Sequence, residues 1–545
     1  MMTRKPQSKR SSAAGRRTAD DIIALQRRLF ERHRRLIEAS ESTPSPGMRR
    51  YYNEYRKAVR GTPVESGFGA LCDAIARSQI AYVADYHTLA LSQRTFLKLV
   101  RAVMQQVDNL CLALEFVDAS HQENIEKYQS GRISERTFLR RIEYKKNWPY
   151  DIWPHFRPIF ELAKAQGFPL LGIDAPATLP LTSRDRRAAE VLAEASCRYP
   201  GSTLLVLVGR LHVAPSHLPA AVERAFQRKG LDPPRRVIVH QNSEVIYWQL
   251  AAQRRESTEV VQLSDESYCV LNTPPLVEQM SYLHWVRYDE DLLEHTTLDS
   301  TVRLFVHTLA EFLVLPLRDS ECELRVLGPG DMMLAELLGS ISDRRRKKRL
   351  LLQVEADESV FVPEVRTIYL GTLSVNHAAE EAAHFVKHAV GGGAEPLELR
   401  DRFYFHALNE ACGFFGSKVI NPKRKTDHSG KLRRIAASRG ENSGKPTAEQ
   451  RAAAFALEHL SWERGRGRKH PAGQLLADPA VFVAAAHMLG YILGDKMYYG
   501  LVSGQVQKSL VRELFLCPLD APYQALEYYL EFSAMLMDVT IPQRI

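Results

Sequence analysis

Three apolar runs in this chain each end on an ionisable side chain. Ile80-Ala81-Tyr82-Val83-Ala84 leads into Asp85-Tyr86-His87, and Leu110-Cys111-Leu112-Ala113-Leu114 leads into Glu115. Leu204-Leu205-Val206-Leu207-Val208 passes through Gly209-Arg210-Leu211 to His212. A neutral imidazole near its intrinsic pKa can take a proton from water, and a carboxylate beside it can orient the ring or hold a cation. His87, Glu115 and His212 therefore form a candidate set for water activation. The competing reading is a satisfied polar network that ties strand ends together. No Gly-x-Ser-x-Gly elbow is present, so direct attack by water, not a serine acyl-enzyme, is the expected route.

A second constellation lies further on, in His377-Ala378-Ala379-Glu380-Glu381-Ala382-Ala383-His384 with His388 one turn later. On a helix, positions 377, 380, 381, 384 and 388 share one stripe. Glu381 and His384 have the Glu-x-x-His spacing of carboxylate-bridged di-iron sites, but the chain offers no second copy of that motif. His406 and Glu410, four apart on an apolar helical pattern from Phe403 to Phe415, could complete a mononuclear site. The candidate ligands for a divalent metal are thus His377, Glu381, His384, His406 and Glu410. The alternative is a polar helix face with i,i+4 pairs.

These side chains need elements to carry them. Between about residues 66 and 253, apolar strands alternate with helical patterns of ten or more residues, which predicts βαβ units and a mostly parallel sheet with flanking helices. Helices are expected at Ser92–Gln106, Gln122–Ser130, Glu135–Tyr144, Pro158–Gln166 and Arg184–Cys197. A further strand is expected at Leu170–Ile173, and edge strands at Arg236–His240 and Val245–Trp248. Residues 1–19 read as a disordered basic arm, 20–65 as a helical extension and 254–297 as connecting helices. From 298 to 545 the pattern is mainly α-helical, with a hairpin or a buried strand pair at Ser359–Val362 and Thr367–Leu370. The fold class is therefore α/β followed by a helical C-terminal domain.

Val83-Ala84-Asp85-Tyr86-His87, Leu112-Ala113-Leu114-Glu115-Phe116, Gln122 with Tyr128-Gln129-Ser130-Gly131, Ile173-Asp174-Ala175-Pro176 and Val208-Gly209-Arg210-Leu211-His212 occur in the order of a known family's motifs. Together they resemble the ChaN-like haem-binding family, of the wider superfamily with TIKI/TraB proteins and erythromycin esterases. The resemblance spans roughly Ser66 to Gln253. The family usually opens Gly-Glu-x-His, where this chain has Ala84-Asp85-Tyr86-His87. The resemblance implies haem or iron as ligand, with tyrosine-type ligation for which Tyr86 is the nearest candidate. Arg210 would meet a propionate, and Asp85 and Asp174 would stand at the family's acidic positions. The hydrolase reading comes from the esterase and TIKI branches, through His87, Glu115 and His212.

The charge balance narrows the partners. Of the net charge of +9, residues 1–60 carry 16 Lys/Arg against 6 Asp/Glu, so the rest of the chain is close to neutral. A nucleic-acid partner is not expected except through the basic arm. The runs Arg344–Arg349 and Pro422–Arg434 read as solvated positive faces. Seven scattered cysteines without a CxxC pair, and neither a signal-like apolar run nor a stretch of spanning length, point to a cytoplasmic protein without a membrane span. The partner is then haem or another small-molecule ligand, and a homodimer is left open as the assembly.

Overall fold

The computed structural model describes residues 13–40, 45–148, 151–286, 298–318, 323–328, 337–355, 358–371, 374–438, 446–466 and 475–542. The chain divides into two compact units, one comprising Arg32–Asp289 and the other joining Met1–Glu31 to Glu290–Arg544.

In the first unit the apolar runs condense into an eight-stranded sheet. Its strands are β1 Val64–Ser66, β2 Ile80–Asp85, β3 Leu110–Asp118, β4 Leu170–Asp174, β5 Thr203–Gly209, β6 Arg236–Gln241, β7 Val260–Ser264 and β8 Ser267–Val270. The order across the sheet is β1-β7-β8-β6-β2-β5-β3-β4. From β8 to β4 each neighbouring pair is parallel, and β7 and β1 add an antiparallel edge. Parallel strands are covered on both faces, which is why β2, β3 and β5 are apolar over most of their length. Side-chain alternation then divides each strand between two cores. Ala81, Val83, Leu112, Leu114 and Leu207 pack with Phe96, Phe156 and Phe160. Tyr82, Ala84, Cys111, Ala113 and Val206 pack with Ala189, Leu192, Leu218 and Val222. The helices Ala90–Val103 and Trp153–Gln166 supply the first face, and Leu181–Arg198 and Leu218–Arg228 the second. Each fully buried leucine in these layers contributes about 1.5–3 kcal/mol.

Several expectations are corrected. Val245–Trp248 lies in a helix, Glu244–Ala252, which buries Ile246, Tyr247, Leu250 and Ala251. A four-residue apolar run does not distinguish strand from helix by period, and Asn242 at φ 48° turns the chain out of β6. β6 itself is interior, between β2 and β8. The 254–297 stretch supplies β7 and β8 before its helix Pro275–Val286. Residues 1–12 of the basic arm lie outside the described residues, and from Ala13 the arm is already helical, in Ala13–Ser40. The helix read as Pro158–Gln166 begins at Trp153, with Pro158 inside it.

The second unit is mainly helical. Leu298–Leu313, Val375–Gly391, Leu399–Ile420, Ala448–Glu463, Pro479–Ser503 and Gln524–Met535 are its longer described helices. A small sheet of β9 Arg325–Leu327, β10 Val360–Val362 and β11 Thr367–Tyr369 has the order β10-β11-β9. Close helix packing depends on glycines, Gly416 and Gly490 among them. A Cβ at Gly416 would lie 2.4 Å from Ala383 Cβ, and one at Gly490 would lie 2.5 Å from the Ala407 carbonyl oxygen. Pro479–Ser503 is long and apolar enough to cross a membrane by length and composition, a feature not expected from the sequence. More than half of its apolar window is buried in the unit. It also carries Asp495, paired with Lys418 at 2.8 Å where both side chains are almost fully buried. The segment Pro422–Arg434 is likewise not a solvated face throughout, since Lys423 and Arg424 are buried.

Candidate functional site

The C-terminal ends of β2, β5 and β3 lie side by side, and this neighbourhood brings three distant side chains together. His87 follows β2, Glu115 sits in β3 and His212 lies on the turn after β5. His87 Nε2 is 3.8 Å from Glu115 Oε2, and His212 Nε2 is 3.4 Å from Glu115 Oε1. The backbone N–H of Gly209 donates to Glu115 Oε2 at 2.5 Å. A Cβ on Gly209 would meet Glu115 Oε2 at 3.1 Å, His87 Nε2 at 3.4 Å and His212 Cδ2 at 3.5 Å, so the three groups converge on this glycine. The β3–β4 pairing shifts register between Leu114 and Asp118, a span that includes Glu115. Gln122 bridges the neighbouring ladder, donating to the Leu170 carbonyl at 3.0 Å and accepting from Gly172 N–H at 3.1 Å.

Each group is held by a further one. Asp85 Oδ2 lies 2.8 Å from His87 Nδ1, and Gln93 donates to Asp85 Oδ1 at 2.6 Å. His212 Nδ1 pairs with Asp185 at 2.6 Å, and Asp185 also accepts from the Tyr51 hydroxyl. Arg184 donates to Glu115 at 2.7 Å and to Asp174 at 2.6 Å, so Asp174 joins the cluster through a guanidinium. Glu115, His212, Asp85 and Asp185 are buried, whereas the His87 side chain is 30% exposed and forms the accessible edge. Trp148 meets its ring edge-to-face at 5.0 Å and stacks on Phe116.

The electrostatics follow from this packing. Burial would lower the pKa of His212, but the Glu115 charge and the Asp185 hydrogen bond raise it to about 10. Glu115 is drawn well below the usual carboxylate range, because His212, His87 and Arg184 outweigh its burial. His87 is raised as well: burial opposes its charge, and Asp85 and Glu115 overcome it. Burial and the Glu115 charge push Asp174 up to about 6 in spite of Arg184. The cluster thus holds a buried, ionised core behind one open imidazole, an arrangement suited to binding a cation or moving a proton.

Arg210 and Tyr86 stand beside the cluster. The Arg210 guanidinium lies 4.7 Å from the centre of the Tyr86 ring and pairs with the buried Glu278. Reading the sequence singled out neither Arg184, Asp185, Gln93 nor Tyr51 for this site. Arg184-Asp185 on the segment after Asp174 was the available signal. Tyr51 is 134 residues from Asp185, and only tertiary packing brings them into contact.

The second constellation lies on the helices Val375–Gly391 and Leu399–Ile420 and borders a cavity of about 820 Å³. His377, Glu381, His384, His406 and Glu410 all line it. Among the described residues, the group of three whose ligand atoms lie within 4.8 Å of one another is Glu380, His384 and Glu410. Glu381 instead accepts from His384 Nδ1 at 3.1 Å, and His406 pairs with Glu395 at 3.2 Å. Arg424 holds Glu380 at 2.7 Å, and His487 bonds Glu410 at 3.0 Å.

Residues 71–180 match a family model described as haem-binding uptake, Tiki superfamily, ChaN. The ChaN-like resemblance is therefore borne out over that segment, a shorter stretch than the motifs span. Among solved structures the chain is similar to "Cofacial heme binding to ChaN of Campylobacter jejuni", at 13% identity. That similarity covers 33% of this chain and 87% of the other, with a TM-score of 0.26. No curated protein matches the chain.

Proposed function

We propose, from the ChaN-type segment as premise, that the Arg32–Asp289 unit is a haem-binding module with His87 as the protein ligand to the iron. One observation carries this reading. His87 Nδ1 is tied to the buried Asp85 at 2.8 Å, while the ring is the most exposed member of the histidine–carboxylate cluster. Metal-binding imidazoles commonly donate their second nitrogen to a carboxylate, which fixes tautomer and orientation and raises ligand basicity. Haem also needs an apolar wall and cations for its propionates. Trp148 and Phe116 furnish the wall. Arg184 is committed to Glu115 and Asp174, so a propionate would recruit Arg210 away from Glu278. When bound, haem would supply the iron, and the chain's residues would position it and shield one of its faces. Among the described residues the cysteines form no disulfide, in keeping with a reducing, cytoplasmic setting, which cell fractionation would check.

Hemin titration of the purified chain tests the proposal. A saturable Soret band at one stoichiometry is expected, abolished by His87→Ala and retained in Tyr86→Phe. A spectrum matching hemin in buffer, or one unchanged in His87→Ala, would refute it.

A second reading, a hydrolase, is favoured by the same Asp85–His87 pair, because an oriented imidazole next to a carboxylate is also the layout of a general base. Removing a general base costs about 10²–10⁴ in rate. An ester and peptide panel comparing the wild type with His87→Ala and Glu115→Gln would detect that loss, and equal background rates in all three would rule the reading out.

A further inference from the structure

Glu380 and His384 lie one helical turn apart on Val375–Gly391, and Glu410 faces them from Leu399–Ile420. All three line the 820 Å³ cavity. Glu380 is 3% exposed, yet its Oε1 is buried without a hydrogen-bond partner among the described residues, and so is His384 Nε2. Leaving a buried polar atom unsatisfied costs about 1–3 kcal/mol, so two such atoms beside a third ligand-type group call for an occupant.

The surrounding groups match what a metal centre requires. Each ligand has a supporting partner: Glu381 on His384 Nδ1, Arg424 on Glu380 Oε2 and His487 on Glu410 Oε2. Such partners fix a ligand's tautomer and orientation and tune its donor strength. The ring of His384 also has a seat made for it. A Cβ at Gly413 would fall 2.2 Å from His384 Nε2, so only glycine leaves room for the imidazole there.

We infer that Glu380, His384 and Glu410 bind one divalent first-row transition ion, with the cavity facing its remaining coordination positions. One imidazole and two carboxylates form a mixed N/O donor set suited to manganese, iron or zinc. Ligand bonds of about 2.0–2.2 Å space donor atoms up to about 4.4 Å apart, and the 4.8 Å limit on this set is a small side-chain adjustment away. Three protein ligands with open positions is the arrangement of an ion that reacts or exchanges, not of a closed structural site. The Glu381–His384 spacing noticed in the sequence belongs to the site in a different way: Glu381 orients the imidazole and Glu380 is the ligand.

The test uses the full chain, tag-free and stripped with chelator, titrated with Co²⁺ and Zn²⁺ and followed by Co²⁺ absorption and calorimetry. One ion per chain is expected. His384→Ala and the isosteric Glu410→Gln should each weaken binding at least 100-fold, and Glu381→Gln 10–100-fold. Circular dichroism of the metal-free variants identifies any that fail to fold, and Glu410→Gln keeps the test standing if His384→Ala does. The inference is overturned if the chain binds no ion or if Glu410→Gln binds like the wild type.

Discussion

Raising the pH should destabilise the Arg32–Asp289 unit chiefly through one imidazole, His212. Its pKa is raised from 6.5 to about 10, because Glu115 and Asp185 outweigh the cost of burial. A folded value above the unfolded one means the folded state binds the extra proton between the two. That stabilisation is fully present below pH 6.5 and is lost as the pH rises toward 10. Within that window each step of one in pH removes about 1.36 kcal/mol, so between pH 6 and pH 9 the unit loses about 3 kcal/mol. Four of the chain's five tryptophans, Trp148, Trp153, Trp248 and Trp285, lie in the Arg32–Asp289 unit, so fluorescence-monitored urea unfolding reports mainly on it. The midpoint should fall steeply between pH 6 and pH 9 in the wild type. In His212→Asn it should start lower and fall much less steeply, the remaining slope coming from groups such as His87. Parallel pH profiles for the two proteins would refute the argument, since the slope would then come from other groups.

Glu115→Gln should destabilise the same unit by about 3–5 kcal/mol, because Arg184 and His212 lose the buried charge they share; a variant within about 1 kcal/mol of the wild type by urea unfolding would contradict this. Asp85→Asn should lower the His87 pKa, since burial already disfavours the charged ring and the Asp85 carboxylate does most to hold its proton in place. The ring's NMR titration curve would show the shift or its absence. Gly209→Ala places a methyl group 3.1–3.5 Å from Glu115, His87 and His212, so hemin affinity should drop while the thermal midpoint changes by only a few degrees. Gly413→Ala should expel the His384 ring from its seat and weaken Co²⁺ binding at least tenfold, as read by calorimetry.

Much of the first unit could be read along the chain because its information is local. Unbroken apolar runs such as Ile80–Ala84 and Leu204–Val208 are what strands buried on both faces require. Helix-length segments between them force parallel crossovers. The candidate site residues His87, Glu115 and His212 stand at run ends, and their types and order also carried the ChaN-like resemblance. Short apolar segments were less legible. Val245–Trp248 is as apolar as a strand, and only the turn at Asn242 and the packing of Ile246 and Leu250 make it a helix. Tertiary structure alone decided which strands are neighbours, because apolar alternation carries no register between β2, β5 and β3. It also decided which groups answer a buried charge. Arg184 with Glu115, Tyr51 with Asp185 and Arg424 with Glu380 lie 69, 134 and 44 residues apart. A charged side chain looks solvated in sequence, and becomes a partner only when folding removes the water around both ions. The same holds on Val375–Gly391, where spacing offered Glu381 as the ligand. There folding sets ligand-type atoms of Glu380, His384 and, from the neighbouring helix Leu399–Ile420, Glu410 within 4.8 Å of one another, while Glu381 accepts from His384 Nδ1.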